Sequence, residues 1–254
     1  MAHLQLRGVD LGPVRAVLFD KDGTLSHSEP LLIELAAARI KAAVQLVSIE
    51  RQIPLRDLLQ RAYGLWDGGI DPAGTTAVAS RAHNLISTAT AFCQVGLGWA
   101  EALSQSEAVF ALSDSLHGLG SRPASAPTAG LMGLLASLQE AGVRCGVISN
   151  DERSGIQHFL ECHGLQDCFQ AIWSAEHHPC KPDPAAVHGL CNELGIAPSD
   201  CALIGDADSD LSMAALAGVP LVIGFADGWS RRPSLSAPHL PLERWSELTV
   251  IARD

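Results

Sequence analysis

The feature that most constrains this chain is a set of short apolar runs that do not alternate. VRAVLFD (14–20), VRCGVISN (143–150), CALIGD (201–206) and VPLVIG (219–224) are each about a strand long, and QAIWS (170–174) is a weaker fifth. A strand with one wet face alternates apolar and polar residues, whereas one covered on both faces does not. Amphipathic patterns of helical period separate these runs. AGLMGLLASLQEAG (129–142) sets Leu131, Leu134, Leu135 and Leu138 on one face and stops at Gly142. SGIQHFLECHG (154–164) stops at Gly164 and DLSMAALAG (210–218) at Gly218. In DPAAVHGLCNELG (183–195), Asp183 caps the start, Pro184 takes the first helical position and Gly195 follows the end. Strands and helices in alternation build parallel βαβ units. The pattern therefore predicts an α/β fold with a doubly wound, Rossmann-like parallel sheet.

The rhythm stops between about Ser26 and Ser125, where no segment reads as a strand. Residues 30–53, 55–66, 77–103 and 106–118 all read as helices. The reading is a helical domain, residues 26–125, inserted into a core made of 1–25 and 126–254. LSHSEP on one side and GLGSRPASAPTAG on the other have the composition of flexible borders. Residues 225–254 read as loop, then a short strand and a closing helix.

Composition narrows the function classes. The chain has 28 acidic and 17 basic residues, a formal net charge of −11. Such a surface repels phosphate backbones and anionic lipid, which argues against nucleic acid or membrane as partner. The most apolar helical stretch is interrupted by Glu34, Arg39 and Lys41, and no run approaches the ~18 apolar residues of a membrane span. MAHLQLRGVDLGPVR lacks the apolar segment of a signal peptide. The seven cysteines are odd in number and form no CxxC pair, which fits reduced thiols in a cytoplasmic protein.

In an open parallel sheet, ligands bind beyond the carboxyl ends of the strands. The first run delivers Asp20 and Asp22 to that edge, the second Ser149 and Asn150, and CALIG delivers Asp206, followed by Asp208 and Asp210. Lys181, in CKPDP, precedes the helix before CALIG. Crowded carboxylates repel one another unless a cation compensates, and an all-oxygen set suits Mg²⁺. Asp20, beside a metal and an ammonium, can attack phosphorus. Asp22 can protonate the leaving oxygen and then activate the water that cleaves the acyl phosphate. Ser149 and neighbouring backbone N–H groups, with Asn150, can hold the phosphoryl oxygens, and Lys181 can offset charge that develops in transfer. Asp206 would bind the metal. Asp210 lies near a helix N-terminus, where a carboxylate is favoured.

FDKDGTL, ISN, KPDP and GDADSD, in this order, resemble the four motifs of the haloacid dehalogenase superfamily of phosphohydrolases. The resemblance covers about residues 14–24 and 126–224. The helical insertion resembles the α-helical cap of the phosphoglycolate phosphatase and β-phosphoglucomutase branch. The resemblance implies that Asp20 is the phosphorylated nucleophile, Asp22 the acid/base, Ser149 the phosphate-binding hydroxyl and Lys181 the charge stabiliser. Mg²⁺ would be held by Asp20, the main-chain carbonyl of Asp22 and Asp206, with Asp210 supporting it directly or through water. The carboxylate at Asp22 sets the chain apart from the dehalogenases, which lack one there, and from P-type ATPases, which carry Thr. The implied activity is hydrolysis of a small phosphorylated metabolite through an aspartyl-phosphate. A sugar phosphomutase, a pyrophosphatase or nucleotidase on the same site, and a non-catalytic phospholigand-binding protein remain open, as does oligomeric state.

Several residues have plainer readings. In an extended chain Lys21 points away from Asp20 and Asp22, so packing or a salt bridge beneath the loop accounts for it. Asp208 reads as a helix N-cap. His158 and Cys162 are spaced like half a metal site, but no second pair matches, so they read as ordinary core or surface helix residues. His177, His178 and Cys180 read as a loop delivering Lys181. Arg81 and His83, in the irregular stretch 64–84, read either as contacts that select the leaving group or as part of an ordinary helix connection.

Overall fold

The computed structural model describes residues 2–117 and 124–252. The chain opens with strands β1 (Ala2–Leu6), β2 (Val9–Val14), β3 (Ala16–Phe19) and β4 (Ser26–His27). Helices α1 (Glu29–Val44) and α2 (Ile49–Tyr63), a two-residue hairpin β5 (Leu65–Trp66) and β6 (Gly69–Ile70), and helices α3 (Thr75–Val78), α4 (Arg81–Gln94) and α5 (Trp99–His117) follow. After β7 (Ala126–Pro127) come α6 (Leu131–Glu140), β8 (Arg144–Ile148), α7 (Arg153–Cys162), β9 (Ala171–Trp173), α8 (Pro184–Leu194) and β10 (Cys201–Gly205). The chain ends with α9 (Asp208–Leu216), β11 (Leu221–Phe225), β12 (Leu240–Leu242) and β13 (Leu248–Ala252). It divides into two compact units, Met1–His27 with Ala124–Asp254, and Ser28–Pro123. The second expected border, 118–130, lies partly outside the described residues at 118–123.

The first unit is built on a six-stranded parallel sheet in the order β12-β11-β10-β3-β8-β9. Because strand residues point alternately to the two faces, the sheet feeds two separate cores. Val17 and Phe19 of β3, Ala202 and Ile204 of β10 and Val147 of β8 pack with α6 and α7. Ala16, Leu18, Cys201 and Leu203 face the other way, into α8 and α9. All four leucines of the α6 stripe are buried, and burying each contributes about 2 kcal/mol. Asp183 caps α8 by accepting the Ala185 N–H at 2.8 Å. Pro184 opens that helix and Gly195 closes it in the left-handed region. Every short apolar run of the sequence forms a strand of this sheet.

Two features differ from the sequence reading. The N-terminal segment is a hairpin, β1 and β2, joined by Arg7 and Gly8 with φ of 51° and 80°. It extends into a three-stranded antiparallel sheet, β13-β1-β2. Among the described residues there is no closing helix: Trp245–Glu247 makes one 3-10 turn and β13 follows, pairing with β1. The alternation of Ala2, Leu4 and Leu6, all buried, was the signal for the first strand.

The second unit is helical, apart from the β5–β6 hairpin. Its core gathers Ala36 and Ile40 from α1, Leu55, Leu59 and Tyr63 from α2, Phe92 from α4 and Phe110 from α5. The first helical stretch breaks at residues 45–48 rather than at Pro54, which lies inside α2. Ser48 is extended there and starts the new helix.

Candidate active site

The sheet changes direction at β3: the chain crosses from β3 to β8 and β9 on one side, then returns to β10 on the other. That switch point is where side chains from the ends of neighbouring strands can converge. Asp20 follows β3, its N–H held by the Ile204 carbonyl at 3.0 Å. Asp206 follows β10, and Asp210 sits in the first turn of α9. Carboxylate oxygens of Asp20, Asp206 and Asp210 all lie within 4.8 Å of one another, and all three residues are buried.

One buried cation faces this cluster. Lys181, on the loop between β9 and α8, places Nζ 2.7 Å from Asp20 Oδ1 and 2.6 Å from Asp210 Oδ1. It also reaches the Ile148 carbonyl at the end of β8, at 3.4 Å. Asp206 accepts hydrogen bonds from Thr24 Oγ1 and from Trp229 Nε1, both at 2.6 Å. Burial, reinforced by Asp210 and Asp22, pushes Asp20 up to about 7 despite Lys181. Burial, with Asp20 and Asp210 beside it, likewise raises Asp206 well above the carboxylate range. For Lys181, burial works against the charge, but Asp20 and Asp210 outweigh it and hold the ammonium above its ordinary value. Three buried carboxylates outnumber the one ammonium, so the ionised site calls for protons or a further cation. The all-oxygen donor set and the excess charge fit a hard divalent cation such as Mg²⁺.

The loop after β3 is a tight turn rather than an extended chain. Thr24 and Ser26 donate their N–H groups to the Lys21 carbonyl at 3.3 and 2.9 Å. Gly23 has φ +81°, and a Cβ there would collide with the Trp229 indole and the Asp206 carboxylate. Both constraints require glycine. The turn corrects the expectation for Lys21, which does not point away from Asp22. Its Nζ lies 2.7 Å from Asp22 Oδ1 and 2.8 Å from Asp151 Oδ2. The expected salt bridge exists, but one of its partners is Asp22 itself.

Ser149 and Asn150 follow β8, beside β3. Ser149 is buried, donates its N–H to the Trp173 carbonyl at 2.9 Å and accepts the Asp151 N–H on Oγ at 3.2 Å. Asp208 is not the N-cap of α9. Ala207 takes that position, and Asp208 Oδ1 accepts the N–H groups of Ser236 and Ala237 at 2.7 and 2.9 Å. Asp210 Oδ2 instead accepts the Ala207 N–H at 3.4 Å. His177 binds Ser174 through Nδ1 at 3.0 Å and stacks on Trp173, which shapes the loop leading to Lys181. Among the described residues, no metal-type cluster includes His158 or Cys162. In the helical unit, Arg81 pairs with Asp114, and the His83 N–H meets the Ser80 hydroxyl at the start of α4. The sequence reading passed over Thr24, Trp229 and Asp151. The only local signal for Trp229 is its place just beyond a strand end, in FADGW.

A doubly wound sheet with a carboxylate cluster and one lysine at its switch point defines an α/β enzyme of the phosphohydrolase type. The family model described as haloacid dehalogenase-like hydrolase matches residues 14–218. The chain belongs to that family of hydrolases. It is 28% identical over 225 residues to a phosphoglycolate phosphatase of Rhodospirillum rubrum, covering 87% of this chain and 83% of that one. It is 26% identical over 244 residues to a phosphoglycolate phosphatase of Photobacterium profundum, covering 94% and 96%. The crystal structure of a predicted phosphoglycolate phosphatase from Haemophilus somnus 129pt superposes with a TM-score of 0.60 at 20% identity, over 88% of this chain and 91% of that one.

Proposed function

We propose that the protein is a Mg²⁺-dependent phosphatase that hydrolyses a small phosphate monoester, of the phosphoglycolate type, through an aspartyl-phosphate. The observation that carries this reading is the buried cluster of Asp20, Asp206 and Asp210 closed by Lys181. A carboxylate oxygen of Asp20 attacks phosphorus while the bond to the leaving oxygen breaks. Asp22 donates a proton to that oxygen, then takes one from the water that cleaves the acyl phosphate. The Asp20 carboxylate is restored and inorganic phosphate is released. Lys181 offsets charge on the transferring group, and Ser149 and Asn150 hold its oxygens. Mg²⁺ would be held by Asp20, Asp206 and Asp210 with the main-chain carbonyl of Asp22. When bound, it lowers the repulsion between Asp20 and an anionic substrate.

The test is phosphate release from a panel of small phosphate esters that includes phosphoglycolate, with and without Mg²⁺, for the wild type and Asp20→Asn. Mg²⁺-dependent release by the wild type, lost in the variant, is expected. Activity that survives Asp20→Asn would remove the nucleophile. Interconversion of sugar phosphates without net phosphate release would replace hydrolysis by a mutase reaction.

A further inference from the structure

We propose that Lys21 and Asp151 form a clamp that positions the carboxylate of Asp22 for proton transfer. This assignment rests on the reading of Asp22 as acid/base. Lys21 is 7% exposed, and its ammonium lies between Asp22 Oδ1 at 2.7 Å and Asp151 Oδ2 at 2.8 Å. Burial opposes the ammonium, but Asp151 and Asp22 outweigh it and keep it charged. Charge-assisted hydrogen bonds of this length fix direction as well as distance.

Asp151 is itself held from several sides. Its Oδ1 accepts the Glu152 N–H at 2.8 Å, its own N–H donates to Ser149 Oγ at 3.2 Å, and its carbonyl accepts the Ala175 N–H at 3.0 Å. Gly155, in the first turn of α7, leaves the space its carboxylate needs. A Cβ on residue 155 would lie 2.5 Å from Asp151 Oδ2. The clamp thus ties the loop after β3 to the loop after β8. An aspartate at a turn has two side-chain torsions to lose before it can exchange a proton in line. Lys21 is a positioning residue that acts through Asp22, whereas Lys181 bonds Asp20 directly.

The experiment compares Lys21→Met, Lys21→Arg, Asp151→Asn, Asp22→Asn and the double variant Lys21→Met/Asp22→Asn in steady-state turnover with Mg²⁺. The expected result is a fall in kcat of about 10- to 100-fold for Lys21→Met, the scale of a misplaced catalytic group, with KM within about twofold. Lys21→Arg should recover part of the loss, and Asp151→Asn should show an intermediate loss. The decisive readout is the double variant, which should turn over no more slowly than Asp22→Asn alone. If the two losses multiply, Lys21 does not act through Asp22 and the clamp is overturned. Wild-type kcat in Lys21→Met with Asp22→Asn inactive would also overturn it, while leaving the phosphatase reading intact. Failure of that reading would show separately, as an inactive wild type or an active Asp20→Asn. If Lys21→Met does not fold by circular dichroism, Asp151→Asn decides: unchanged kcat in a folded Asp151→Asn removes the clamp.

Discussion

At the scale of single residues, the site is held by groups beyond the four motifs. Trp229 illustrates this. Its indole N–H is bonded to Asp206, and Gly23 is small enough to let the ring approach. Partners of metal-binding side chains orient them, and losing one typically weakens the metal about 10- to 100-fold. Trp229→Phe keeps most of the ring and removes only the donor. Its Mg²⁺ affinity, measured by calorimetry on the folded protein, should fall about tenfold. An unchanged affinity would show that Thr24, which bonds the other oxygen, orients Asp206 alone. Most of the motif residues were legible in the sequence because they lie just past a strand end or in the first turn of a helix, and Lys181 because it stands in KPDP just before α8. Asp20, Asp206, Asp210 and Lys181 do meet. Trp229 and Asp151 were not legible, since their partners are distant in sequence and only the folded chain brings them within hydrogen-bond reach. Lys21 was misread because strand alternation was extended one turn too far. β3 ends at Phe19, so Lys21 already lies in the turn.

At the scale of elements, legibility follows burial. Strands covered on both faces announced themselves as unbroken apolar runs, and α6 as a four-leucine stripe. β1 and β13 were missed because each is only partly buried along its length, and their pairing joins segments far apart in the chain. Among the helices, α1 carries the least expected side chain. Arg39 is 5% exposed, lies 3.9 Å above the Phe110 ring, and has no ion pair among the described residues. Its Nε lacks a hydrogen-bond partner. Burial lowers its pKa, against weaker support from Tyr63 and Asp114. Burying a guanidinium costs several kcal/mol, while stacking on an aromatic ring returns about 2 kcal/mol. The cost outweighs the return. Arg39→Met keeps the packed stem and removes the charge, so its chemical-denaturation stability should equal or exceed that of the wild type. A loss above about 2 kcal/mol would mean that the stacking dominates.

At the scale of the whole molecule, the acidic cluster couples global stability to pH and to metal. Asp20 is raised from 3.8 to about 7 and Asp206 is raised with it, burial being the main cause for both. A carboxylate whose folded pKa lies above its unfolded value contributes stability that is full below the unfolded value. That contribution is lost as pH rises through the folded one. For Asp20 the window runs from about pH 4 to about pH 7. The metal-free protein should therefore lose thermal stability between pH 5.5 and 8, even though most proteins are near their optimum there. On the proposed reading, Mg²⁺ would bind the ionised carboxylates and compete with those protons. The rise in Tm on adding saturating Mg²⁺ should consequently be larger at pH 8 than at pH 5.5. Asp20→Asn removes one of the charges and should melt higher than the wild type at pH 8 without metal, with a smaller response to Mg²⁺. A thermal-shift series across this range, with chelator and with Mg²⁺, checks each arm. A Mg²⁺ response that does not vary with pH, or that is unaltered in Asp20→Asn, would place the metal away from the buried carboxylates at the sheet's switch point.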